Sequence, residues 1–285
     1  MKVCLACSAR FSSPGWTCPE CGNTPERNGF LRFTSDEELA GFPEESFEHL
    51  PEQEQRSFWF RGRNKLIDWA LGKYFPDAAS FFELGTGTGV VLTALHATRP
   101  GLQLAGGEPF AAGLEVARSR LPDVPLYQLD GRRLPFAEEF DVAGAFDVLE
   151  HIDEDVAVLA QLHQVVKPGG GLLLTVPQHP WLWSTVDDFS QHRRRYTRRE
   201  LVERVEAVGF RVLRTSSFVS LLLPVVAFSR WRGRGRDTCD PMEEFRLPAT
   251  VERVFGAAMT AERGLVGLGV SFPAGSSLLL VARRT

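Results

Sequence analysis

Residues 80–89 read SFFELGTGTG, and the fold follows from them. Phe81, Phe82 and Leu84 make a short apolar run of the kind that forms a buried strand. The run enters Gly85-Thr86-Gly87-Thr88-Gly89 without a break, and residues 90–97 (VVLTALHA) then read as a helix that ends before Pro100-Gly101. Strand, glycine turn and helix bring backbone N–H groups and the positive end of a helix against a ligand. A dinucleotide fingerprint needs its third small residue where Val90 stands. The loop here is G-x-G-x-G, with Glu83 just before it.

The same alternation continues on both sides. Residues 57–71 carry apolar side chains spaced for one buried helix face. Residues 102–108 (LQLAGGE), 124–129, 140–146 (FDVAGAF) and 172–176 read as further strands, and residues 153–166 as a helix stopped by Lys167-Pro168-Gly169-Gly170. Glu108 closes the second strand, where a carboxylate can accept hydrogen bonds from both hydroxyls of a ribose. Nicotinamide sites use the same device, so Glu108 points to a nucleoside without choosing which; the alternative is a solvated turn residue. Composition sets the frame: 285 residues, 44% hydrophobic and 24% charged, with a net charge of −4. That suits one large α/β domain with an appendage, and it supplies no global field to draw the molecule onto nucleic acid or anionic lipid.

ELGTGTG, GGEPF, QLDGRRLPF, FDVAGAFDVLEHI and VVKPGGGLLLTVP stand in the order and spacing of class I methyltransferases. The chain most resembles their small-molecule group, which includes the quinone-biosynthesis methyltransferases. HRRRYTRRELVERVEAVGF is similar to that group too. The likeness covers residues 57–210 and resumes in a last strand at 276–283. It implies a Rossmann-like, seven-stranded, mostly parallel sheet with helices on both faces and only the final strand antiparallel. It also implies S-adenosylmethionine as cofactor, held by Glu83, Gly85, Gly87, Gly89, Glu108, Asp130, Gly131 and Phe146. Glu83 would meet the ammonium group of the cofactor's methionine part and Asp130 the adenine amino group.

Four of the five cysteines fall in the first 21 residues, as Cys4, Cys7, Cys18 and Cys21. A C-x2-C-x10-C-x2-C pattern gives two knuckles whose four thiolates suit a closed, structural zinc site. Two disulfides, or four unrelated thiols, are the alternatives. The opening residues lack a signal peptide's apolar region, and no apolar run reaches the roughly 20 residues that span a bilayer. A cytoplasmic location is expected, where thiols stay reduced; Cys239 stands alone as an unpaired thiol. The expected organisation is a zinc ribbon at 1–30, an acidic linker at 31–56, a methyltransferase core at 57–217 and 276–285, and an insertion at 218–275.

The methyl acceptor is less legible. The fourth strand ends in Ala-Phe-Asp-Val, not in the Asn/Asp-Pro-Pro-Tyr/Phe clamp used for base amino groups, and no cysteine lies near strands four or five to attack a pyrimidine. His151 and His192 are the candidates for a general base, against a structural role or none. In HPWLW (179–183), Trp181 and Trp183 can wall an apolar acceptor pocket or belong to the core. Arg193, Arg194 and Arg195, with Tyr196 after them, make a run of loop arginines that can grip a phosphate or carboxylate, or form a solvated basic turn. Thr197 and Glu200 make a capping box that starts a helix running to Gly209. The insertion opens with FVSLLLPVVAF and continues with Arg230, Arg232, Arg234 and Arg236, as a lid, a peripheral membrane contact or ordinary packing. Three functions compete: O-methylation of a small apolar, lipid-linked or phosphorylated acceptor; RNA methylation with the ribbon and arginines as footprint; and a nonenzymatic cofactor-binding module.

Overall fold

In a computed structural model of the chain, residues 1–34, 46–233 and 247–285 are described. Two small hairpins come first: β1 (Lys2–Val3) with β2 (Arg10–Phe11), and β3 (Glu26–Asn28) with β4 (Phe30–Arg32). Part of the stretch read as an acidic linker is helical, α1 (Ser46–Arg56). Helix α2 (Phe58–Tyr74) begins at Ser57, whose side chain accepts from the Trp59 N–H, and buries Leu66, Ile67, Ala70 and Leu71.

The alternating core then unfolds as read. Strand β5 (Ser80–Leu84) has every residue buried and is followed by α3 (Val90–Thr98), β6 (Gln103–Glu108), α4 (Ala111–Arg120) and β7 (Leu126–Gln128). Next come β8 (Phe140–Phe146), α5 (Asp155–Val165) and β9 (Val166–Pro177). Helix α6 (Thr185–Phe189) precedes α7 (Arg198–Ala207), which starts with the expected Thr197–Glu200 capping box. Strand β10 (Phe210–Phe218), helices α8 (Leu223–Gly233) and α9 (Ala249–Gly267), and strand β11 (Ser277–Arg284) complete the described chain.

The main sheet runs β10-β11-β9-β8-β5-β6-β7-β4-β3. Its centre is the seven-stranded, mostly parallel arrangement the sequence implied, with β11 antiparallel to both neighbours. Two strands extend it. β4 adds in parallel to β7, pairing Leu31 with Tyr127 and Arg32 with Gln128, and β3 pairs antiparallel outside it. One apolar cluster fills each face: Leu66, Ile67, Leu92, Leu95 and Leu114 on one, Val158, Leu159, Leu162, Leu201 and Val205 on the other. Strand order reverses between β5 and β8, which opens a crevice at their carboxyl ends. No helix among the described residues is long and apolar enough to cross a membrane.

The first hairpin rests on the loop that leaves β7. Val3 donates to the Pro135 carbonyl (2.8 Å), Ala137 donates to the Met1 carbonyl (2.8 Å), and Arg133 reaches the Leu5 carbonyl (2.7 Å). Trp16 packs edge-on against Phe33, Tyr127 and Phe136. Arg234, Arg236 and Cys239 lie outside the described residues.

Candidate active site

The glycine loop turns at the carboxyl end of β5. Gly85 has φ +72°, and a Cβ there would come within 2.3 Å of Val148 Cγ2, so only glycine fits. The Gly85 and Thr86 amides donate to the Gly107 carbonyl, and the Gly87 N–H donates to Glu108 Oε2 at 2.9 Å. Glu108 also accepts from the Phe110 N–H at 3.2 Å. Burial raises its carboxyl to about 7, against the pull of those two amides.

Gly85, Gly87, Glu108, Phe110, Asp130, Gly131 and His151 line a chamber of about 330 Å³. The Asp130 carboxylate is engaged by Arg132 through its backbone N–H and its guanidinium. Gly89 lies outside this chamber. At φ +78° it caps α3, and an added Cβ would meet Ala117 Cβ at 3.0 Å, so its job is to let α3 and α4 approach.

A larger chamber of about 470 Å³ adjoins the first, and the two share Gly85, Gly87 and Asp147. Its apolar wall comes from distant parts of the chain: Phe58, Trp59, Phe189, Val225, Val226 and Phe255. Glu83 and Phe146 also face this side of the junction. Glu83 is buried with Oε2 unpartnered, and burial holds its carboxyl well above the usual range. Phe146 stacks on Phe81 with centroids 6.4 Å apart. Asp147 sits at φ +58°, where it accepts from Arg63 at 2.6 Å and from the Thr175 hydroxyl at 3.0 Å.

His151 and His192 meet edge to face at 4.8 Å, His151 on the smaller chamber and His192 on the larger. Burial, then the neighbouring His192, hold His151 down at about 3, which makes it a weak base. His192 Nδ1 lies 2.8 Å from Asp187 Oδ1. Burial pushes the Asp187 carboxyl up, but hydrogen bonding with His192 and the charge of Arg195 hold it below the usual range. Arg195 lines the larger chamber with its Nε on Asp187 at 2.7 Å. Arg194 pairs with Asp153 and Asp155.

Three residues expected on the acceptor wall stand elsewhere. His179, at φ +64°, reverses the chain after β9, so Leu182 points inward while Trp181 is 53% exposed. Trp183 donates to Asp188 at 2.9 Å and, like Trp181, lines neither chamber. Tyr196 is buried beneath the turn, donating to Asp155 at 2.6 Å. Sequence reasoning missed Glu150, fully buried on the larger chamber, although an acid inside the apolar LEHI turn was the available signal.

Cys4, Cys7, Cys18 and Cys21 converge at the amino end, all with free thiols. Cys4–Cys21 and Cys7–Cys18 sulfurs are each 3.6 Å apart. Sulfurs about 2.3 Å from a tetrahedral zinc ion lie roughly 3.8 Å from one another, and a disulfide would hold them at about 2.05 Å. The donor set fits zinc.

A glycine loop at the switch point, an acid closing β6 and a second chamber beside them define a nucleoside-cofactor enzyme of the Rossmann-like class. The chain belongs to the methyltransferase-domain family, whose profile matches residues 52–215. It is 34% identical over 98 residues to the ubiquinone/menaquinone biosynthesis C-methyltransferase of Desulfotalea psychrophila, covering 33% of this chain and 40% of that protein. It is 30% identical over 103 residues to the trans-aconitate 2-methyltransferase of Azoarcus sp., covering 36% of this chain and 41% of that one. The match thus spans about two-fifths of these relatives' length. Among solved structures, a chain from the complex of the Haloferax volcanii Trm112 methyltransferase activator with its methyltransferase superposes with a TM-score of 0.56 at 18% identity, covering 84% of this chain and 93% of that one. The geranyl diphosphate C-methyltransferase of Streptomyces coelicolor gives 0.54 at 14%, covering 78% and 80%. These two likenesses concern the fold.

Proposed function

We propose that the protein transfers a methyl group from S-adenosylmethionine to an oxygen of a small, largely apolar acceptor. The smaller chamber takes the nucleoside, with Glu108 on the ribose and the Asp130–Gly131 turn at the adenine. The unpartnered Oε2 of Glu83 accepts from the cofactor's ammonium group. The sulfonium then lies at the junction marked by Gly85, Gly87 and Asp147, facing the larger chamber. The observation that carries this reading is that apolar chamber, which shares Gly85, Gly87 and Asp147 with the smaller one.

Chamber chemistry favours an apolar body over a phosphate. Arg195 and Arg230 both face Asp187, at 2.7 and 3.3 Å, which leaves less free positive charge for an anionic group. Alignment of the acceptor and exclusion of water contribute to the rate. The four cysteines hold a structural zinc ion that orders the amino-terminal hairpin.

The test uses labelled S-adenosylmethionine with lipid extracts, small-metabolite extracts and RNA. Label is expected in an apolar or lipid-linked acceptor. Once the acceptor is in hand, Phe255→Ala should raise its KM about tenfold, as lost burial of an aromatic wall implies, while S-adenosylhomocysteine affinity stays within about twofold. Label appearing in RNA alone would overturn the acceptor class.

A further inference from the structure

Glu150, His151 and His192 each bring one metal-ligating atom to a common point, all within 4.8 Å of one another. We propose that these three side chains hold a divalent first-row transition ion on the wall between the two chambers. The ion's use in catalysis rests on the methyl-transfer reading above; its binding does not.

Charge makes the first case. Glu150 has no solvent exposure, and neither carboxylate oxygen meets a hydrogen-bond donor from another residue. A buried carboxylate is costly unless a cation or donors compensate it. The charge of Arg195 reaches Glu150 but is shared with Asp187, whose carboxylate Arg195 contacts at 2.7 Å. A bound cation supplies the missing positive charge.

Orientation makes the second. Asp187 Oδ1 holds His192 Nδ1 at 2.8 Å, so the ring's other nitrogen is the one turned to an ion. The Ser190 carbonyl accepts from the His151 ring. A carboxylate or carbonyl behind each imidazole is the outer arrangement that fixes tautomer and aim in metal-binding histidines. The Arg193 N–H donates to the Glu150 carbonyl at 2.6 Å and ties the loop of His192 to the turn of Glu150 and His151.

Two imidazoles and one carboxylate suit manganese, iron, cobalt or zinc in the divalent state. Ligands about 2.1 Å from such an ion stand roughly 3 to 3.5 Å apart, so a pair at the outer limit of 4.8 Å closes by roughly 1.3 to 1.8 Å. Three protein ligands leave coordination positions open. Glu150 and His192 line the larger chamber and His151 the smaller, so an acceptor hydroxyl can take an open position beside the cofactor and become more acidic there.

The experiment titrates Mn2+ into full-length protein carrying one zinc equivalent per chain, the amount the four thiolates take up first, and counts free Mn2+ by electron paramagnetic resonance. Zinc already in the four-cysteine site keeps thiolates out of the measurement, and manganese prefers nitrogen and oxygen donors. One Mn2+ per chain is expected, with nitrogen modulation from imidazole in the spin echo. Glu150→Gln and, separately, His192→Gln should weaken binding by about tenfold or more, since loss of even an outer partner has that effect. S-adenosylhomocysteine binding by each variant establishes that it is folded. Absence of Mn2+ binding by the unaltered protein overturns the proposal, as does equal binding by folded variants. Loss of S-adenosylhomocysteine binding in the unaltered protein would instead overturn the methyltransferase reading.

Discussion

Cofactor affinity should depend on pH through a single buried acid. Glu108 is 5% exposed, and burial lifts its carboxyl from 4.5 to about 7 despite the Gly87 and Phe110 amides. Ribose hydroxyls are donors and favour the charged form, so binding near neutrality should release a proton. With a pKa of about 7, roughly one molecule in eleven is charged at pH 6 and ten in eleven at pH 8. Affinity for S-adenosylhomocysteine should then rise about tenfold over that span, or ~1.4 kcal/mol. Stability runs the other way. A carboxyl whose folded pKa is raised favours the fold below its unfolded value of 4.5, and that contribution is lost as pH rises through about 7. The loss is at most about 3 kcal/mol. Glu108→Gln should therefore flatten the affinity profile, weaken binding at pH 8 by about 1–3 kcal/mol, and raise stability at pH 8. Calorimetry at pH 6, 7 and 8, in buffers of different ionisation enthalpy, reads both affinity and protons released. A flat profile in the unaltered protein, or an equal slope in Glu108→Gln, would refute the reasoning.

Reduced, freshly purified protein should carry one zinc equivalent by metal analysis, lost when Cys4 and Cys7 become serine; finding none in the unaltered protein would dismiss the ribbon. Gly85→Ala forces a Cβ to within 2.3 Å of Val148 at positive φ. Strain and overlap of about 2–4 kcal/mol should lower the Tm by several degrees and weaken S-adenosylhomocysteine, and an unchanged melting curve would show that the loop relaxes freely.

The core was legible because its signals are local. Strands 80–84 and 140–146 begin and end where the sequence reading put them, since each is a continuous apolar run closed by glycine or aspartate. Helix α7 starts at Thr197 because a capping box needs only four residues. Helix α4 escaped notice: only Gly113, Leu114 and Ala117 are buried, too few for a visible stripe. Strands β3 and β4 are three residues each and exist through a partner nearly a hundred positions away. The larger chamber was misread for the same reason. Phe58 and Phe255 face one space across almost two hundred residues, whereas HPWLW merely sat near the right strand. Glu54, in the stretch read as an acidic linker, is buried against Thr88 and Arg120.

The added strands also bear on how the molecule keeps to itself. Without β4, the backbone of Leu126–Gln128 would offer open hydrogen-bonding groups along a mostly buried strand, an invitation to pair with another chain. Instead the outermost strand on that side is Glu26–Asn28, three exposed polar residues with both signs of charge. The opposite margin is guarded differently: β10 shifts register between Val212 and Arg214 and sets arginines 211 and 214 along its length. Irregularity and charge at both margins discourage further strands from adding. The amino-terminal segment thus covers the β7 edge, and a shortened chain beginning at α2 should tend toward self-association even where its core still folds.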